Sequence, residues 1–214
     1  MRALDRRMFL IAGSAAALAC LESGCAISPQ MAAHAAGPDP IYQRTEVAYE
    51  TPERPGTLVV DPENHFLFLV QPNGRATRYG VGVGAEGYGW SGQAKIRTKQ
   101  EWPDWYPTKE YVAEHPKVAA FLKPLPSGEG VHGGPENPMG ARALYLWQGN
   151  KDTLYRIHGT NEPWTIGTNV SAGCIRLTNE DVSDLYNRVP VGTKVVVLPS
   201  RHVPEAQQAP SPRA

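Results

Sequence analysis

The chain has few cysteines, three in 214 residues, so a disulfide framework has little to work with. Cys20 and Cys25 lie near the start, and Cys174 has no close-spaced Cys or His partner of the kind that builds a zinc site. Charge of one sign is also missing. The 21 basic and 21 acidic side chains cancel, and no basic patch is interleaved with aromatics, which argues against a nucleic-acid partner. There is a single long apolar run, from Met8 to Leu21, interrupted by Gly13 and Ser14. It is too short and too rich in alanine to be read as a membrane span. There is no internal repeat. The glycine-rich stretch 80–92, GVGVGAEGYGWSG, is not followed by Gly-Lys-Ser/Thr, so a phosphate-cradling loop is not supported.

What is abundant is glycine (21) and proline (20), beside 41% hydrophobic residues. That mixture favours short strands joined by many turns, in one domain with tails. Arg2, Arg6 and Arg7 precede the apolar run, and DRRMFL (5–10) resembles a twin-arginine export signal. Residues 1–35 are therefore read as an export signal to the periplasm, with cleavage after Ala26 or within 31–36. The acylation box Ala17–Cys20 makes a lipoprotein, and hence a lipid anchor, the alternative. With the leader removed, Cys174 is the only thiol. In an oxidising compartment such a thiol is either reactive or buried beyond reach. Residues 36–55 read as a linker, 56–199 as the folded domain and 200–214 as a disordered tail.

Within the domain, strands are expected at 57–60, 65–70 and 75–83, separated by the turns DPEN and QPNG, with another at 94–99. His65 is placed in the second of these. Thr108 is expected to cap a helix ending at Pro116. Strands 141–147 and 153–158 pair across a Gln148–Lys151 turn, and 125–140 is a loop. Thr178 opens a second helix whose Val182, Leu185, Tyr186 and Val189 fall on one face. A last strand follows at 194–198. The fold class is mainly β, a β-sandwich or mixed sheet, with one or two short helices.

The segment 155–177, YRIHGTNEPWTIGTNVSAGCIRL, carries the chemistry. His158 precedes Cys174 by sixteen positions. An imidazole can take the proton of a weakly nucleophilic thiol and later return one to a leaving amine. The small residues Ser171, Ala172 and Gly173 let a carbonyl approach, and the N–H groups of Gly173 and Cys174 are candidate oxyanion donors. A zinc site from His132, His158 and Cys174 is the competing arrangement, without a close-spaced ligand pair to support it.

HGT followed by SAGCIRL resembles the L,D-transpeptidase catalytic domain of the YkuD type. GGPENPMG (133–140), RALYL (142–146) and NEDVSDLYNRVPVGTKVVVL (179–198) agree with it in order and spacing. The resemblance implies a peptidoglycan enzyme in which Cys174 attacks the third residue of a donor stem tetrapeptide, D-alanine leaves and a thioester forms. An amine of a second stem then gives a 3→3 cross-link. Water as acceptor would make a carboxypeptidase or endopeptidase, and a protein amine would anchor an envelope protein to the wall. The Gly159 carbonyl is implied to orient His158. Neither metal nor other cofactor is implied, and carbapenem acylation of Cys174 is. Arg176 is expected to face the substrate carboxylate, with an ion pair to Asp181 or Asp184 as the rival. Ser171, Thr160 and Asn137 are expected at the substrate or in the loops around it.

Overall fold

The computed structural model describes residues 37–85 and 88–200. The expected export signal and C-terminal tail lie outside the described residues, apart from Ser200. The strands are β1 Thr45–Ala48, β2 Leu58–Asp61, β3 Phe66–Gln71, β4 Arg75–Gly80, β5 Val83–Gly84, β6 Gly92–Glu101, β7 Lys123–Leu125, β8 Gly128–Gly130, β9 Arg142–Gln148, β10 Lys151–His158, β11 Asn169–Ser171, β12 Ile175–Arg176 and β13 Lys194–Val197. Two short helices, α1 (Lys109–Glu114) and α2 (Asn179–Arg188), accompany them. Nine strands form one mixed sheet in the order β1-β4-β3-β2-β13-β6-β9-β10-β12. Two small two-stranded sheets, β11-β5 and β7-β8, flank it. The mainly β expectation therefore holds.

One face of the sheet is apolar because alternate residues along its strands are. Leu58, Val60, Leu67, Leu69, Ile96, Leu144, Leu146 and Ile157 all point into one core cluster. Helix α2 covers that face with Val182 and Leu185. Its first turn is closed by Thr178, whose Oγ1 accepts from the Asp181 N–H at 3.1 Å. At its other end Lys99 Nζ donates to the Tyr186 and Val189 carbonyls at 2.5 and 2.8 Å, satisfying acceptors that helix geometry leaves open. Helix α1 is capped by Thr108 in the same way, Oγ1 accepting from Tyr111 N–H at 3.1 Å.

Three local expectations need correction. Residues 36–55 are no loose linker over their described part. Strand β1 pairs antiparallel with β4. Tyr49 stacks on Phe68 at 4.2 Å. Arg44 reaches Glu180 at 3.2 Å and Asp184 at 3.2 Å on helix α2. The arm is polar because it lies at a sheet edge, not because it is detached. His65 is a turn residue with φ 59°, its Nε2 2.5 Å from Asn169 Oδ1, and β3 begins one residue later. The stretch read as a loop from 125 onward includes the β7–β8 hairpin.

The Thr178 cap is worth about 1 kcal/mol. Thr178→Ala should lower unfolding free energy in denaturant titration by about that amount, with the slope unchanged.

Candidate active site

Strand β10 ends on His158, and the short strand β12 follows Cys174. The two strands pair in parallel with Ile157 opposite Ile175 and His158 opposite Arg176. Ile157 and Ile175 face the core. Side chains alternate along a strand, so His158, Arg156, Arg176 and Cys174 fall on the other face. Cys174 and His158 are then diagonal neighbours on adjacent strands, a separation that long or aromatic side chains bridge. Strand β12 is held on its far side too, by reciprocal bonds between Gly82 and Arg176 of 2.9 and 2.8 Å.

His158 is 4% exposed. Its Nδ1 lies 2.6 Å from the Gly159 carbonyl oxygen. A carbonyl only accepts, so Nδ1 carries the proton and the neutral ring keeps its lone pair on Nε2. Burial, with Arg176 adding to it, pushes the imidazole pKa from 6.5 down to about 4, against the pull of the Gly159 and Met139 carbonyls. Cys174 is a half-buried free thiol. Burial raises its pKa, while the Arg156 backbone N–H and the guanidiniums of Arg156 and Arg176 oppose the rise. At neutral pH both the thiol and the imidazole on this face are uncharged.

The turn before Cys174 is built by Ser171. Its Oγ donates to the Cys174 carbonyl at 2.6 Å and accepts from Gly173 N–H at 3.1 Å. Gly173 has φ 110°, and a Cβ there would meet Tyr155 Cε1 and the Tyr88 carbonyl, each at 2.5 Å. Glycine is required on both counts.

Residues 55–197 match the family model YkuD, described as the L,D-transpeptidase catalytic domain. The chain belongs to the L,D-transpeptidase catalytic domain family. It is similar to the Escherichia coli (strain K12) protein described as "Probable L,D-transpeptidase YbiS", 46% identical over 47% of this chain and 30% of that protein. Similarity to "Probable L,D-transpeptidase ErfK/SrfK" of the same strain is 36% over 66% of this chain and 43% of that protein. The chain thus matches less than half the length of these relatives. A crystal structure described as "Probable carnitine operon oxidoreductase caia" from Brucella melitensis is 50% identical, covering 75% of this chain and 96% of that one, with TM-score 0.49. The oxidoreductase description belongs to that protein. Here the glycine-rich segment runs from β4 through β5 into β6. No helix follows it, so the described residues do not form the strand–loop–helix unit that cradles a dinucleotide.

Several residues expected at the transpeptidase site take other positions. The Gly173 N–H is already occupied by Ser171, so of the two expected oxyanion donors it is not open. Ser171 itself is buried and spent on the turn. Asn137 is 1% exposed. Its Nδ2 donates to the Val131 and His132 carbonyls, each at 2.8 Å, and its Oδ1 accepts from Met139 N–H at 2.8 Å. It orders the loop that brings the Met139 carbonyl to His158 and has no free reach to substrate. Thr160 is buried and accepts from Glu162 N–H at 2.9 Å. Arg176 pairs with Glu162 at 3.1 Å, not with Asp181 or Asp184, which are engaged by Arg44 at 3.6 and 3.2 Å. The reason is the pleat. Arg176 points to the catalytic face, and helix α2 packs on the opposite one. His132 sits beside Asp104 at 3.6 Å, exposed.

Arg156 was missed from sequence. It stands level with Cys174 because β10 pairs with β12 in the register Ile157 opposite Ile175, and a β-bulge lies between Asp152 and Arg156. In a regular strand those two residues would be ~13 Å apart. With Leu154 at φ 63°, Asp152 accepts two guanidinium bonds from Arg156 at 2.7 and 2.8 Å and the Leu154 N–H at 2.9 Å. The guanidinium also lies over Tyr145, 4.5 Å from the ring centroid. Bulges beside active sites re-aim side chains in this way. Only the alternation His158, Arg156 along the strand could have signalled it.

Two measurements check these electrostatics. The unfolded chain binds a proton at His158 more readily than the folded one, so stability should fall as pH drops from 6.5 to about 4. The loss should be on the order of 3 kcal/mol, and His158→Gln should flatten that part of the profile. Alkylation of Cys174 by iodoacetamide should show a midpoint above the ordinary thiol value of 9.0. Arg156→Met should move it higher, and Arg156→Lys should recover most of the difference.

Proposed function

We propose that this chain is a cysteine acyltransferase of the periplasm acting on peptidoglycan stem peptides. One observation carries the reading. The Gly159 carbonyl fixes the proton on His158 Nδ1 and leaves Nε2 basic, on the sheet face that carries the only described thiol. Family membership supplies the substrate class.

When the donor carbonyl enters, Nε2 takes the Cys174 proton as sulfur attacks the third residue of the stem tetrapeptide. Attack and proton transfer go together, because the resting thiol is protonated. The imidazolium that forms is stabilised by the Gly159 and Met139 carbonyls. The tetrahedral oxyanion falls beside the Cys174 N–H. The C–N bond to D-alanine then breaks, and the imidazolium gives its proton to the departing amine. The thioester is attacked by the side-chain amine of a diamino acid on another stem, with His158 taking that proton. A peptide bond is lost and one is gained, so no external energy source is required. Arg176, half-buried and tied to Glu162, and Arg156, tied to Asp152, place two guanidiniums near the reacting sulfur, where a substrate carboxylate would be attracted.

Purified protein incubated with disaccharide-tetrapeptide should release D-alanine and yield a 3→3 dimer by mass spectrometry, with a transient acyl adduct on Cys174. Cys174→Ala should abolish turnover, and His158→Ala should lower it by about 10²- to 10⁴-fold. Tripeptide in place of dimer would make water the acceptor. Full activity in Cys174→Ala would refute the mechanism.

A further inference from the structure

The catalytic face of the sheet does not end at Cys174. Strand register carries it outward. His158 pairs with Ala143, and Arg156 with Tyr145. Lys95 pairs with Trp147. The opposite faces of the same strands, Ile96, Leu144, Leu146 and Ile157, are core. Lys95, Trp147, Tyr145, Arg156 and His158 therefore share one continuous surface with the nucleophile. Its far part is a groove of about 510 Å³ lined by Lys95, Arg97, Trp147, Gln148, Asn150 and Lys194, among others, and by no carboxylate. Lys194 is paired with Glu53 at 2.8 Å. Lys95 and Arg97 are exposed and have no ion-pair partner among the described residues. The half-buried Trp147 ring has the Arg97 guanidinium 5.9 Å from its centroid.

We infer that this groove binds the glycan strand of the polymer, an amino-sugar chain, while its stem peptide lies at Cys174. The inference rests on the stem-peptide reading above. The donor set matches that ligand. An indole offers an apolar platform to a sugar ring, the amides of Gln148 and Asn150 suit its hydroxyl and acetamido groups, and two unpaired cations suit the free carboxylates of the stem peptides that the strand carries. The spacing matches too. Trp147 lies four residues along β9 from the level of His158, roughly 13 Å. Two amino-acid residues and an ether link separate the reacting third residue from the sugar, about 10 Å when extended. A free stem peptide would leave the groove empty, so the site distinguishes polymer from fragment.

The test measures binding of the full chain, in a Cys174→Ala background, to long uncross-linked glycan-peptide strands. Trp147→Ala and Lys95→Glu/Arg97→Glu should each weaken binding at least 5-fold, and Trp147→Phe should restore most of the Trp147→Ala loss. Unchanged binding in both variants overturns the inference. So does an equal weakening toward polyglutamate, which carries carboxylates without sugars. Turnover of the monomeric disaccharide-tetrapeptide by the unaltered chain is followed separately. Its failure would sink the stem-peptide reading itself, whereas its success with unchanged strand binding sinks only the groove.

Discussion

The site depends on a very short piece of sheet, the parallel pairing of β10 with β12. Two residue pairs and the Leu177 N–H to His158 carbonyl bond of 2.8 Å define it. A shift of one residue would turn Cys174 to the core face and bring Ile175 to the face of His158. The pairing survives because Ile157 and Ile175 are both buried and Gly82 grips β12 from its free side. Core packing on one face thus sets which side chains meet on the other.

The glycine-rich segment and the turn before Cys174 constrain one another in the same way. Strand β5 pairs with β11, and a Cβ on Gly84 would lie 2.9 Å from the Gly173 Cα. Tyr155 completes the packing, stacked on Trp90 at 5.7 Å with its hydroxyl donating to the Tyr88 carbonyl at 3.3 Å. The glycines are there for close backbone approach, which is why a run that resembles a phosphate loop in composition has no such geometry.

The electrostatic design is a compromise between burial and activation. Burial raises the thiol and lowers the imidazole, so neither is charged at rest. Two guanidiniums nearby oppose the rise at Cys174, yet each is tethered by its own carboxylate, Asp152 or Glu162. A neutral pair avoids the cost of two charges in a dry site.

Much of this was legible in the sequence where the signal is local. β-rich runs between turn signals marked β2, β3, β9 and β10, and the Thr108 and Thr178 caps marked both helices, because turn chemistry and capping act over a few residues. The pair His158 and Cys174 was readable from motif chemistry, and the ring-orienting Gly159 carbonyl from the family resemblance. The folded chain alone decided the rest. It committed Ser171 and Asn137 to backbone groups, gave Arg176 to Glu162, paired the 45–48 arm with β4, and set Arg156 level with Cys174 through the β10–β12 register. Each of those outcomes turns on which face of the sheet a side chain occupies and which remote segment lies opposite. That depends on register between strands far apart in sequence, and no local pattern encodes it.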